Sequence, residues 1–356
     1  MHMTKIQNET LAQYFDIPLL SDKMNANIEL AMNQKTKPPG SLGKLEQIGI
    51  KLGSIQKSLT PTIAQPEILV FAGDHGLCAR GVSPWPQEVT RQMVLNFVSG
   101  GAAINVMCRS NNIGLSIVDA GIKGPKISSS RIIDARVAEG TKDSYSQPAM
   151  SWAQFELCIK SGREIARKKI HGGCDLLGLG EMGIGNSSAA ALITAAICDV
   201  DLTKVTGPGA GSDGTQLEKK KQILLDVLSN HDPSADALDL CRRFAGFEMV
   251  MALGAALESA SQNVPVVVDG FIISAAILAG ISAQPKLKPY CLFSHRSASP
   301  GHRYICEELK VEPILDLNMR LGEGSGAAMA IPVIRTAADI LREMATFEQA
   351  EVSDKL

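Results

Sequence analysis

The chain has 356 residues, 45% of them hydrophobic and 20% charged, which places it among globular proteins with a sizeable core and excludes a disordered chain. A formal net charge of −2 and an aromatic content of 4% leave neither a basic footprint nor a stacking set, so nucleic acid is not an expected partner. Eight cysteines show no CxxC spacing and mostly lie in apolar runs such as Tyr290-Cys-Leu-Phe293, so they read as small core residues of a reducing compartment, not as metal ligands or disulfides.

Met1–Thr10 lacks the apolar stretch of a secretory leader, and the longest apolar run, Val264–Ala283, is broken by Asp269-Gly270. A cytoplasmic protein with no membrane partner is expected. The first sixty residues read as helical: Ser21–Asn33 is amphipathic, Lys37-Pro-Pro-Gly40 stops it, and Ser41 is placed to cap a second helix through Gln56. From Glu67 the pattern changes. The apolar run Ile68–Phe71 ends at Ala72-Gly-Asp-His-Gly76 and reads as a buried strand. A loop carrying Trp85 follows, then helical patterns at 87–98 and 102–109, then a strand at Leu115–Val118. Residues 123–148 have weak periodicity and read as loop with short strand pieces. Ser151-Trp-Ala-Gln154 is a capping-box pattern that opens a helix ending near His171-Gly-Gly173.

Leu176–Leu179 is a further strand, followed by Gly180-Glu-Met-Gly-Ile-Gly-Asn-Ser-Ser188 and an Ala-rich helix. The glycine-rich stretch Gly207–Gly214 reads as a flexible loop, with helices expected at 216–229, 235–244 and 247–261. Strands at Val264–Val268 and Tyr290–Phe293 each lead into small or polar residues and a helix, and a short run at Pro313–Leu317 precedes a final helix, Ser325–Met344. Strand, polar turn and helix recur about six times, which implies an α/β fold with a parallel sheet covered by helices on both faces. Ligands of such sheets bind beyond the carboxyl ends of the strands. The turns at 73–76, 180–188, 269, 294–300 and 322–326 are therefore expected to converge. A small helical domain is expected from 1–60 and 326–356, and a large α/β domain from 61–325.

Glu323 lies between two glycines ahead of a helix, and this leaves two readings: a general base facing a ligand, or a first-turn acid suited to the helix dipole. Glu181, flanked by glycines at a strand end, is a second pocket acid. Gly178-Leu-Gly-Glu-Met-Gly183 matches the dinucleotide pattern G-x-G-x-x-G, with Asp201 about twenty residues on, and so carries an alternative reading as an NAD-dependent oxidoreductase. Against it, Gly185-Asn-Ser-Ser188 reads as the helix cap, which favours a phosphate cradle with Asn186 and Ser187 adding side-chain bonds. Asp74 and His75 read as a hydrogen-bonded structural pair. Ser297 carries two readings, an anion ligand or a simple helix cap, and Lys219-Lys-Lys221 reads as one solvated helix face from which one lysine could reach a phosphate beside the glycine loop.

Five runs occur together in order: Lys37-Pro-Pro-Gly-Ser-Leu-Gly-Lys-Leu-Glu46, Ala72–Gly76, Gly180–Asn186, Val267-Val-Asp-Gly-Phe271 and Met319-Arg-Leu-Gly-Glu-Gly-Ser-Gly-Ala-Ala328. In them the chain resembles the nicotinate-nucleotide:dimethylbenzimidazole phosphoribosyltransferase family of cobalamin nucleotide-loop assembly, from about residue 35 to the end. The resemblance implies a Rossmann-like homodimer that moves the 5-phosphoribosyl group of nicotinate mononucleotide to a benzimidazole nitrogen, with no metal and no cofactor. It implies Glu323 as general base and Glu181 as a second acid near the reacting centre. It implies Trp85, Gln92, Met182 and Leu321 around the acceptor base, and Gly183, Gly209, Lys220, Ser297 and Gly326 near ribose and phosphate.

Overall fold

A computed structural model describes residues 16–209, 211, 214–232 and 235–353. The leader reading at Met1–Thr10 and part of the Gly207–Gly214 loop lie outside these residues. Six parallel strands form one sheet: β1 (Pro66–Gly73), β2 (Gly114–Gly121), β3 (Ile132–Asp134), β4 (Leu176–Met182), β5 (Val266–Val268) and β6 (Cys291–Phe293), in the order β3-β2-β1-β4-β5-β6. This is the doubly wound order, and its topological switch point falls between β1 and β4, whose register pairs Phe71 with Glu181 and Ala72 with Met182. The parallel α/β architecture expected from the alternation is present.

Strand side chains alternate between two cores, as the two-residue period requires. Leu69, Phe71, Leu177, Leu179, Val266 and Val268 enter one core, shared with the helices Trp152–His171, Asn186–Cys198, Phe247–Ser261 and Phe271–Ala283. Ile68, Val70, Ala72, Leu176, Val267 and Leu292 enter the other, with Ile48 and Leu52, Val94 and Phe97, Ile104 and Cys108, and the final helix Ser325–Glu343. The first half of that helix, through Ala327, Ile331 and Ile334, lies on the sheet. Its far end, at Leu341, joins Ile28 and Met32 in a separate small cluster with the N-terminal helices Asp22–Asn33 and Lys44–Gln56.

Two local expectations are corrected, at Ser41 and at Asp74–His75. Ser41 does not cap the second helix, which starts at Lys44 behind Gly43 and has no side-chain cap. The turn before it is held instead by Glu46, whose carboxylate accepts the Gly40 and Leu42 N–H groups and pairs with Lys37 at 2.8 Å. The short run Pro313–Leu317 contributes a single bridge, His295 to Leu315, and the sixth strand, Ile132–Asp134, is one of the short pieces expected within 123–148. The Asp74–His75 pair is replaced by separate partners, described below. No helix among the described residues is long and apolar enough to cross a membrane.

Candidate active site

A cavity of about 740 Å³ opens at the carboxyl ends of β1 and β4, and the sequence explains why two acids reach it. Strand β4 ends in Gly180-Glu181-Met182, and the 322–324 loop crosses directly over it. A Cβ on Gly180 would stand 2.6 Å from Gly324 N and 2.8 Å from Glu323 O, so only glycine admits the crossing. Glu323 itself takes a left-handed backbone, φ +63°, between Gly322 and Gly324 at +84° and +81°. That conformation is costly for a residue with a side chain and persists only where its surroundings hold it.

Asp269, at the end of β5, does the holding. Its two carboxylate oxygens accept the N–H groups of Gly324 (3.2 Å) and Ala327 (3.1 Å), capping the helix that begins at Ser325. Gly326 lies against the same cluster; a Cβ there would meet the His295 ring and Asp269 Oδ1.

Glu323 is 5% exposed, and its Oε2 is buried without a hydrogen-bond partner among the described residues. Burial raises its pKa, a backbone hydrogen bond from Ile104 in the first turn of the helix Ala103–Ser110 works against the rise, and the Asp269 charge adds to it. Glu181 is also buried, and Asn186 Nδ2 donates to its Oε2. Burial pushes the Glu181 pKa well up, and the carboxylates of Asp269, Glu248 and Glu323 push it further.

Beyond Glu181 the helix Asn186–Cys198 begins, with Gly185 in a left-handed conformation at its N-cap and no side-chain cap. The Asn186 and Ser188 N–H groups turn back onto Gly183 O (3.2 Å) and Gly185 O (2.9 Å), and the positive end of the helix dipole is suited to an anion. Lys220, buried on the helix Gly214–Ser229, reaches the same place, with Nζ 3.1 Å from Ser187 Oγ and 3.3 Å from Gly207 O. Burial lowers its pKa to about 8. Arg320 donates to Gly209 O at 3.1 Å and lines this end with Ser299. The opposite wall is apolar: Val82, Trp85, Val89, Met93, Met182 and Leu321.

The cavity thus gathers Glu323, Glu181, Trp85, Met182, Leu321, Gly183, Asn186, Gly209 and Lys220. Three expected residues stand off its wall. Gln92 is exposed, and its helix neighbours Val89 and Met93 line the cavity instead. Ser297 Oγ accepts from Ser299 N–H at 3.3 Å, behind the Ser299 that does line it. Gly326 packs on His295.

Sequence reasoning missed Glu248 and Arg320. His75 Nε2 pairs with the fully buried Glu248 at 2.7 Å, whereas Asp74 accepts the Lys123 N–H at 2.8 Å; this overturns the Asp74–His75 pair. Arg320 stands within the 319–328 run, and a cation two residues before Gly322 was the available signal. Of the G-x-G-x-x-G glycines, Gly178 and Gly180 lie inside β4 and not in the turn after it, so the pattern does not form a dinucleotide turn.

A family model described as phosphoribosyltransferase matches residues 17–352. The chain belongs to that family. It is similar to the nicotinate-nucleotide--dimethylbenzimidazole phosphoribosyltransferase of Aromatoleum aromaticum, 42% identical over 342 residues that cover 96% of this chain and 99% of that one. The protein of the same description from Variovorax paradoxus is 43% identical over 343 residues, covering 95% and 97%. Among solved structures, CobT from Thermus thermophilus aligns with a TM-score of 0.90 at 39% identity, over 94% of this chain and all of that one. The chain is therefore a phosphoribosyltransferase of the α/β class, and nothing in these likenesses supports the oxidoreductase alternative.

Proposed function

We propose that the enzyme transfers the 5-phosphoribosyl group of nicotinate mononucleotide to 5,6-dimethylbenzimidazole or a related base, forming α-ribazole 5'-phosphate and nicotinate. The observation that carries this reading is the unpartnered Glu323 Oε2, buried in a cavity with one anion-suited end and one apolar wall. The names of the relatives agree with it.

The site residues follow by location. The phosphate lies at the helix start beside Lys220, with Asn186, Gly183, Gly209 and Ser299 around it, while Ser297 and Gly326 shape that end from behind. The acceptor ring lies between Trp85, Met182 and Leu321, and Gln92 is placed at the outer edge. Nicotinate is already quaternised in the nucleotide, so its departure needs little acid help. As the C1′–N bond breaks, positive charge develops on the ribose, and the acceptor nitrogen attacks from the opposite face. Glu323 takes the proton that the acceptor's other ring nitrogen must lose. A carboxylate whose pKa is raised by burial is a better base at neutral pH. Burial and acidic neighbours raise the Glu181 pKa, so a cationic ring entering beside it favours release of its proton to solvent, and the resulting carboxylate stabilises the ribosyl cation.

The reading extends to a cytoplasmic homodimer in which 1–60 with 326–356 form a helical unit on the α/β unit 61–325. The Ile28, Met32 and Leu341 cluster supports that division. The test is incubation with nicotinate mononucleotide and a panel of bases. Nicotinate release that depends on an added benzimidazole is expected; release with no acceptor, or with none of the bases, contradicts the proposal.

A further inference from the structure

A second cavity, of about 360 Å³, lies outside the reaction site and shares no lining residue with it. Its walls include Gln147, Trp152, Asn230, His231, Arg242 and Arg243. The arginines sit side by side on the helix Ala237–Phe244, 7% and 6% exposed, and both bind the one carboxylate of Asp239. Arg242 gives Nε (2.8 Å) and Nη2 (2.6 Å) to Asp239 Oδ1, and Nη1 to Met150 O (3.0 Å). Arg243 gives Nε (3.0 Å) and Nη2 (2.7 Å) to Asp239 Oδ2. Its Nη1 makes no bond to a described residue.

Two guanidiniums against one carboxylate leave one positive charge in excess in a buried setting, where an uncompensated charge is expensive. Neither arginine is free to swing out to water. The Arg242 guanidinium lies 4.8 Å from the centre of the Trp152 ring, and Arg243 is tied by its paired bonds. The neighbouring imidazole feels the excess. Burial lowers the His231 pKa, a hydrogen bond to Ser144 O opposes this, and then both guanidiniums lower it further against the weaker pull of Asp239. His231 Nε2 meets Ser144 O at 2.7 Å, so that nitrogen carries the proton and Nδ1 is left to take up another.

We propose that this cavity is a binding site for a small oxoanion, a phosphate or carboxylate group, held by Arg243 Nη1 and the free N–H groups of Arg242, with His231 as a third donor once protonated. A planar guanidinium with an open edge suits oxygen pairs of either kind. Asn230 directly follows the helix Gly214–Ser229, on which Lys220 reaches the reaction cavity, so one helix borders both sites. The inference does not depend on the substrates proposed above.

The test is calorimetric titration of the full chain with inorganic phosphate, and separately with nicotinate, at constant ionic strength balanced by chloride. The protein carries Lys220→Met, which disables the phosphate end of the reaction cavity, and the His231 imidazole is followed by NMR in parallel. Saturable binding of either anion that raises the His231 pKa is expected, and the responding anion identifies the group the cavity takes. Arg243→Gln is expected to weaken that binding by about tenfold or more, the loss of a charge-assisted contact. Absence of binding beyond the chloride control, an unmoved His231, or undiminished affinity in a folded Arg243→Gln protein overturns the proposal. Should Arg243→Gln fail to fold, the His231 response in the Arg243-containing protein decides alone.

Discussion

The floor and the rim of the reaction cavity are built on opposite principles. The floor and the layer behind it are packed with charge away from water: Glu181 and Glu323, which line the cavity, and Asp269 and Glu248 behind them are all at most 5% exposed, and burial and neighbouring charge raise the pKa of Glu181 and Glu323. The rim is the reverse, since Trp85 and Leu321 are 51% and 55% exposed although apolar. Burying like charges costs stability, and nothing in the packing of β4 requires it. Exposing a tryptophan and a leucine at one mouth forgoes burial that each could have gained. Both departures fall on the same cavity, and in the proposed reaction the floor serves proton transfer and charge stabilisation while the rim serves recognition of a flat apolar ring. Changes in the floor should therefore act on turnover and its pH dependence, and changes in the rim on affinity for the acceptor.

The largest expected effect is that of Glu323→Gln, which lowers turnover by at least about a hundredfold with nucleotide binding largely kept, the signature of a lost general base. Near-normal turnover would remove the floor's chemical role.

Asp269→Asn comes next. It weakens the hold on Gly324 and Ala327, and turnover should fall by about tenfold through misplacement of Glu323. It also removes a charge that raises the Glu323 pKa, so the acid limb of the rate profile should move to lower pH. Burial, which still raises the Glu323 pKa, and the Ile104 N–H, which lowers it, remain in place to set the new position. A loss of rate with an unmoved limb would leave Asp269 a purely structural cap.

Lys220→Met should raise the Km for the nucleotide by about tenfold, the value of a hydrogen bond to a charged group. In the proposed site Lys220 would bind phosphate while protonated, and burial lowers its pKa to about 8, so nucleotide affinity of the parent enzyme should decline as pH rises through about 8. Calorimetry across that range should show the decline in the parent and a flatter profile in the variant; matching profiles would place the phosphate elsewhere.

The smallest effect belongs to the rim. Leu321→Ala should raise the Km for the acceptor by about fivefold, on the order of 1 kcal/mol of apolar contact, and leave kcat unchanged. A fall in kcat instead would erase the distinction between floor and rim.

What could be read from the chain before its fold divides along similar lines. Apolar runs of four or five residues ending in glycine or another small or polar residue identified five of the six strands, because a central parallel strand is buried on both faces and leaves a continuous signal. The edge strand Ile132–Asp134 is half exposed and three residues long, so its region reads only as loop with short strand pieces and its bounds are not legible. Ser41 was a sound cap by residue type, but Glu46, five residues later, satisfied the same turn through its buried pair with Lys37. Glu323 and Glu181 were legible because glycines flank them. Glu248 was not, since it stands in a helix buried along its length, and its partner His75 is 173 positions away. Gln92 was placed at the cavity from resemblance alone, and helical phase turns Val89 and Met93 inward in its stead.

The central claim is that the Glu323 carboxylate is the group whose ionisation switches on transfer. Its most direct test is the pH dependence of kcat/Km with nicotinate mononucleotide and a benzimidazole, measured for the parent enzyme and for Glu323→Gln. Because burial raises the Glu323 pKa and the base works deprotonated, the parent should lose activity as pH falls through a limb lying above the ordinary carboxylate range. The slow residual reaction of Glu323→Gln should lack that limb; the same limb in both proteins would contradict the account.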